Sequence, residues 1–255
     1  MSKVEAVIFD WAGTTVDYGC FAPVKAFCEV FQEYGIEPAM DEVREPMGML
    51  KWDHIRTMLD MPRIKSLWEE KYGTAPKDED ADKLYKRFEP ALFRILDQYA
   101  KPKPYVLDTI KSLRERGIKI GSTTGYTDAM MNIVVPKAKE YGYAPDCWYS
   151  PDATESMGRP YPYMIYKNMQ MLKISSVSSV IKAGDTISDV KEGKNAGVFT
   201  IGILEGSSLL GMEQTEYEAL EEEEKANVLA KAKAEYEEAG ADAVVTDIRG
   251  VLEYI

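Results

Sequence analysis

Asp10 ends the apolar run VIF at 7–9 and is followed by Gly13 and Thr14. A carboxylate at the end of a buried strand can act as a nucleophile or a metal ligand, or it can simply cap the turn. Far along the chain, GDTISD at 184–189 supplies a second acidic strand end with Asp185 and Asp189. Two strand ends bringing carboxylates to one edge suit Mg²⁺, a hard cation that takes oxygen ligands and usually keeps waters. Capping of the following helix is the competing use. Between them, Thr124 and Gly125 follow the run IKIGST at 118–123. Parallel α/β sheets bind ligands outside the carboxyl ends of their strands, so these three loops are where chemistry would gather.

The elements that must hold those loops alternate. Strand-like runs at 4–9, 118–123, 180–183, 198–203 and 243–246 are separated by helical stretches. One helix covers 105–116, with apolar residues at 106, 107, 110 and 113, and stops at Gly117. Others cover 127–141 and 188–196 and stop at Gly142 and Gly197, good residues for a helix end. This alternation predicts an α/β fold, a Rossmann-like parallel sheet covered on both faces. Residues 20–102 break the rhythm with helical spacing at 23–34, a helix opening near Lys51, and a long stretch at 80–99. In that stretch Leu84, Phe88, Leu92, Ile95, Leu96 and Tyr99 share one face. We therefore expect an all-helical domain at 20–102 inserted into a core of 1–19 and 103–255. The chain returns through KPKPY at 101–105, and two adjacent crossings make a natural hinge. The Glu-, Lys- and Ala-rich segment 213–240 reads as one or two solvated surface helices rather than a site.

Composition narrows the function. A chain of 255 residues suits one large domain or a core with a smaller insert. With 31 Lys+Arg against 43 Asp+Glu, a net charge of −12 and a pI near 4.8, the chain lacks the basic face a nucleic-acid protein needs. An anionic substrate stays open, since a few local cations and a metal override the global field. No apolar run approaches the ~18 residues of a membrane span, and the first residues lack a signal-peptide layout. Cys20, Cys28 and Cys147 form no CxxC pair and leave one over, which argues against a disulfide framework or a zinc cage. His54 is the one histidine. The expected setting is a reducing cytoplasm, with a small-molecule substrate and neither nucleic-acid nor membrane partner.

Taken in order, Asp10-x-x-Gly13-Thr14, Thr124, Arg159 and Gly184-Asp185-x-x-x-Asp189 resemble the four motifs of the haloacid dehalogenase superfamily. The helical insertion resembles that superfamily's cap domain. Within it, five stretches are similar to the phosphonatase family: VIFDWAGTTVDYGCFAP at 7–23, PMGMLKWDH at 46–54, RERGIKIGSTTGYT at 114–127, GRPYP at 158–162 and GDTISDVKEGKNAG at 184–197. The match covers insertion and core, and the acidic segment near the C-terminus is its least informative part.

The resemblance implies hydrolysis of the P–C bond of phosphonoacetaldehyde to acetaldehyde and phosphate. One departure from the wider superfamily fits the narrower family. Most phosphatases of the group carry a second Asp two residues after the nucleophile, and here that position is Ala12. An alkoxide leaving group benefits from a proton donor, whereas a P–C bond leaves a carbanion and needs an electron sink beside the carbon. A lysine iminium supplies one. By resemblance that lysine is Lys51, Asp10 is the nucleophile, and His54, one turn on, moves protons. Thr124 and Arg159 would meet phosphonate oxygens, and Met47, Cys20 and Tyr126 would line the pocket. Mg²⁺ would be held by Asp10, the Ala12 carbonyl and Asp185, with Asp189 bound directly or through water. The family also implies a homodimer joined through the cap. The alternatives are another capped phosphatase or phosphomutase of the superfamily, or a non-catalytic phosphate-binding module. Ala12 with Lys51 argues against the first, and the intact set of Asp10, Thr124, Arg159 and Asp185 against the second.

Overall fold

Four apolar residues, Ala6–Phe9, form the first strand (β1), and each is fully buried. Such a strand needs neighbours on both edges and cover on both faces. It has them: the computed structural model, which describes residues 3–255, places β1 beside Lys119–Ser122 (β2) on one side and Val180–Gly184 (β3) on the other. Phe199–Ile203 (β4) and Ala243–Val245 (β5) extend the sheet, giving the order β2-β1-β3-β4-β5 with every pairing parallel. The chain leaves β1 toward β2 and later returns on the opposite side, so the order reverses around β1. A crevice opens outside the carboxyl ends at such a reversal. Asp10, Thr123 and Asp185 follow directly on β1, β2 and β3, the strands that flank this reversal.

Between β1 and β2 the chain is helical. Phe21–Glu33 (α1), Met40–Arg44 (α2), Lys51–Asp60 (α3), Pro62–Tyr72 (α4) and Asp78–Phe93 (α5) precede a short 3₁₀ turn at Leu96–Tyr99. The single helical face read at 80–99 is thus broken after Phe93, and the chain turns there toward its return. Phe27 of α1 stacks on Phe88 of α5 with ring centroids 4.3 Å apart and on His54 of α3 at 3.9 Å, which knits these helices into one core. The two crossings lie together, as Lys103 N–H donates to the Thr15 carbonyl and Val16 forms a bridge with Pro102.

Val106–Glu115 (α6), Asp128–Glu140 (α7), Tyr163–Leu172 (α8) and Ile187–Ala196 (α9) cover the sheet, followed by Gln214–Ala219 (α10) and Glu222–Glu238 (α11). Sequence spacing missed α2, α4 and α8. The acidic segment is helical as expected, but it turns Tyr217, Ala232 and Tyr236 inward, and the fully buried Tyr236 donates to the Asp185 carbonyl at 2.6 Å. No helix among the described residues is long and apolar enough to cross a membrane.

Candidate active site

Each strand end delivers a residue to one crevice. Asp10 N–H donates to the Ala183 carbonyl at 3.0 Å and Thr123 N–H to the Phe9 carbonyl at 3.0 Å, so sheet pairing runs on to the edge of the site and fixes those loops. Above them, Gly48 sits in the turn before α3 with φ +86°, and a Cβ there would lie 2.5 Å from Thr186 Oγ1. Only glycine lets this turn approach the sheet edge so closely. The cavity left between is small, about 20 Å³. Asp10, Ala12, Thr124, Tyr126 and Arg159 line it from the strand side, and Cys20, Met47 and Lys51 from the other. Gly125, named with Thr124 from sequence, also lines it, as do Gly48 and Thr186, which were not singled out.

Lys51 is the first residue of α3 and is buried. Its Nζ lies 5.2 Å from the centre of the Tyr126 ring and 5.9 Å from that of Phe27, and it makes no ion pair or hydrogen bond among the described residues. The other buried lysines, Lys103 and Lys182, are satisfied by carbonyls and carboxylates respectively. Burial therefore pulls the Lys51 ammonium below its ordinary value, with only partial opposition from Cys20 and Asp10. Burial likewise keeps the Cys20 and Tyr126 protons on, well above their usual range.

His54 lies one turn along α3, fully buried, but it does not reach the cavity wall. Its Nε2 is 2.9 Å from the Val43 carbonyl and must carry the proton to donate there, which leaves Nδ1 as an acceptor without a partner among the described residues. Burial and the nearby Lys51 charge hold it well below the ordinary histidine value, so the ring is neutral.

Arg159 comes from the loop ahead of α8. Its Nη2 is 2.5 Å from Asp10 Oδ1 and 2.9 Å from Asp189 Oδ1, and its Nε is 3.1 Å from Glu192 Oε2. Burial works against its charge, but these carboxylates outweigh it and hold the guanidinium above its ordinary value.

Asp10, Asp185 and Asp189 each offer a carboxylate oxygen within 4.8 Å of the others. Asp185 Oδ1 accepts from Thr14 Oγ1 and Oδ2 from Ser208 N–H, both at 2.9 Å. A Cβ at Gly13 would lie 2.1 Å from Asp185 Oδ2, so that oxygen nests directly on the loop of Asp10. Burial, reinforced by the charges of Asp10 and Asp189, pushes Asp185 up to about 8, and burial also raises Asp10. Two buried acids whose ionisation burial disfavours, with a third carboxylate beside them, are a donor set that a hard divalent cation relieves. Asp189 differs. Its Oδ2 accepts from Thr186 Oγ1 at 2.6 Å as part of the α9 cap, and its Oδ1 faces Arg159 and Lys182. Helix capping, the competing use foreseen for 185–189, thus falls to Thr186 and Asp189. These cations outweigh burial and keep Asp189 ionised below the ordinary range.

The comparisons with known proteins agree with this geometry. Residues 4–197 match the haloacid dehalogenase-like hydrolase family. The chain is 52% identical over 243 residues to a bifunctional phosphonoacetaldehyde hydrolase/aminoethylphosphonate transaminase of Clostridioides difficile, matching 95% of this chain but spanning only 38% of that longer protein. It is 48% identical to the phosphonoacetaldehyde hydrolase of Bacillus cereus, over 99% of this chain and 97% of that one. Among solved structures, a phosphonoacetaldehyde hydrolase-like protein from Oleispira antarctica superposes with a TM-score of 0.95 at 37% identity, over 99% of this chain and 91% of that one. The chain belongs to the haloacid dehalogenase-like hydrolases and, within them, to the phosphonoacetaldehyde hydrolase family.

Proposed function

We propose that the protein cleaves the P–C bond of phosphonoacetaldehyde by a Lys51 iminium and an Asp10 aspartyl phosphate. The observation that carries this reading is the unpaired, buried Lys51 amine on the same small cavity as Asp10, with Ala12 where a proton-donating acid would stand. The Lys51 amine adds to the aldehyde carbonyl and water leaves, forming the iminium. An Asp10 oxygen attacks phosphorus in line, and the P–C electron pair passes into the iminium to give an enamine on Lys51. Protonation of the enamine carbon and attack of water on the resulting iminium release acetaldehyde. A second water cleaves the aspartyl phosphate and returns Asp10.

Arg159 meets a phosphonate oxygen through Nη1, which has no hydrogen bond among the described residues, and Thr124 donates its hydroxyl to another. Met47, Cys20 and Tyr126 shape the aldehyde end, with Cys20 and Tyr126 staying neutral. We assign His54 to proton transfer during carbinolamine collapse, through a water that bridges its free Nδ1 acceptor to the cavity. Asp10, the Ala12 carbonyl and Asp185 are the residues we assign to Mg²⁺, with Asp189 reaching it through water. Bound there, the ion screens the charge between carboxylate and phosphonate.

The division into a core of 1–19 and 103–255 and a cap of 20–102 belongs to the same proposal. A cavity of about 20 Å³ holds about one water, so substrate entry requires the helical part to lift from the sheet edge. The homodimer rests on the family alone, and light scattering tests it. Three free thiols suit a reducing, cytoplasmic setting.

The deciding experiment is a Mg²⁺-dependent assay of acetaldehyde release from phosphonoacetaldehyde, with 4-nitrophenyl phosphate for comparison. Preference for the phosphate ester would refute the reading. Asp10→Asn should lose roughly four orders of magnitude in turnover or more. It should still form the borohydride-reducible adduct at Lys51.

A further inference from the structure

Lys182 occupies the middle of β3, paired with Ile8 on one side and Thr200 on the other, at a point where parallel strands ordinarily carry apolar residues. It is fully buried, and so is Glu192 on α9. Lys182 Nζ lies 2.7 Å from Thr123 Oγ1, 2.8 Å from Asp189 Oδ1 and 3.2 Å from Glu192 Oε2. Glu192 Oε2 also accepts from Thr123 Oγ1 at 2.9 Å and from Arg159 Nε at 3.1 Å. The next residue makes this possible. A Cβ at Gly193 would lie 2.4 Å from Thr200 Oγ1 and 3.2 Å from Lys182 Cβ, so α9 seats deeply enough on the sheet to carry Glu192 inward.

A buried ion pair is commonly no better for stability than apolar residues of the same volume, so stability alone does not account for this one. Its geometry points toward Arg159. The guanidinium is planar, and two of its nitrogens are held: Nε by Glu192, and Nη2 by Asp10, Asp189 and the Thr123 carbonyl. Holding two nitrogens of a rigid plane aims the third, Nη1. Glu192 also occupies the Nε edge with which Arg159 would otherwise grip both Asp10 oxygens side-on.

We propose that Glu192 and Lys182 are positioning residues. Glu192 sets the plane of Arg159 so that Nη1 faces the phosphoryl group and Asp10 keeps an oxygen free to attack, while Lys182 balances Glu192 and Asp189. The inference rests on the phosphoryl-transfer reading above. Neither side chain touches the cavity, so both act through Arg159 and Asp189.

The test is the charge-balanced double variant Lys182→Met/Glu192→Gln, with Glu192→Gln alone as the milder change. Thermal midpoint, borohydride trapping of acetaldehyde on Lys51, kcat and KM, and calorimetric binding of inorganic phosphate with Mg²⁺ present are measured on each. The double variant should keep the parent's thermal midpoint within a few degrees and its trapping rate. Its kcat should fall about a hundredfold, the scale of an ångström's misplacement at a reacting centre, and its phosphate affinity at least tenfold. Parental kcat and phosphate affinity in the double variant would show a purely structural pair and overturn the proposal. If the double variant does not fold, Glu192→Gln decides: a tenfold or greater loss of phosphate affinity with trapping intact supports the proposal, and parental values overturn it. A parent that releases no acetaldehyde would sink the proposed reaction instead, while phosphate binding to parent and variants still reads the placement of Arg159.

Discussion

At the scale of single residues, burial and the absence of a counter-ion set the chemistry. Lys51, Lys103 and Lys182 are all buried, yet of these only Lys51 keeps an amine without an ion pair or hydrogen bond among the described residues. Its attack on an aldehyde requires the neutral form, so iminium formation should rise with pH through the lysine's own titration and then level off. Because burial pulls that titration down, the midpoint of borohydride trapping with acetaldehyde should fall below the ordinary 10.5. A midpoint at or above that value would mean the amine is solvated in the working protein. Lys51→Arg should neither trap nor turn over, because arginine stays protonated at any pH of use. An adduct on another lysine with Lys51 unmodified would reassign the role.

At the scale of elements, two short segments govern how the helical insertion meets the sheet. Asp17 accepts from the N–H groups of Phe21 at 2.9 Å and Ala22 at 3.0 Å and so caps α1 just after the outward crossing. Asp17→Ala should cost about 1–2 kcal/mol in urea unfolding, as loss of a helix cap does. Asp17→Asn keeps an acceptor and tolerates the positive φ at this position. Burial pushes the Asp17 carboxyl from 3.8 up to about 7. The folded chain thus holds this proton more tightly than the unfolded one. Its contribution is full below the unfolded value and lost as pH rises from about 4 to about 7. The Asn variant should lack that slope, and equal slopes in the two proteins would remove Asp17 as its source. The second segment is the Gly48 turn. A methyl there meets Thr186 and demands a left-handed backbone from alanine. Gly48→Ala should therefore lower kcat/KM by about tenfold or more, on the scale of small displacements at a reacting centre. Its cost in stability should stay at the ~1–2 kcal/mol of a left-handed alanine. A folded variant with parental kcat/KM would make the turn merely structural.

At the scale of the whole molecule, a net charge of −12 is compatible with the anion binding proposed for the crevice because the charges there are arranged locally. Arg159 and Lys182 offset Asp189 and Glu192, and Arg159 also pairs with Asp10, which leaves Asp185 as the carboxylate most burdened by burial and by its acidic neighbours Asp10 and Asp189. A divalent cation that relieves it binds the folded chain alone and must stabilise it. At a hundredfold excess over its dissociation constant, Mg²⁺ should add about 2.7 kcal/mol. Chelation should reverse the gain along with activity, and Asp185→Asn should lose most of it. A thermal midpoint indifferent to Mg²⁺ would place no metal at these carboxylates. The same scale couples distant parts: Tyr236, from the acidic C-terminal helices, braces the Asp185 backbone, and Ser208, from the loop after β4, braces its carboxylate.

Sequence alone determined the α/β class and the positions of Asp10, Thr124 and Asp185. Apolar runs mark buried strands, and in a parallel sheet every carboxyl end lies on one edge, so the residue after each run must reach that edge. It also placed a helix opening near Lys51, which the structure puts as the first residue of α3. Spacing did not reveal α8, nor the break after Phe93, since local periodicity reports which face is apolar and not where packing bends the chain. Lys182 looked like part of an ordinary strand run. Its meaning, like that of Glu192, Ser208 and the unpaired state of Lys51, came only from folding. These side chains meet groups tens to hundreds of residues away, as Thr14 meets Asp185, and burial depth and charge partners arise only when the sheet closes and the helices settle over it. His54 shows the limit most plainly: helical spacing put it one turn from Lys51, but only tertiary packing stacked it on Phe27 and turned its Nε2 toward Val43.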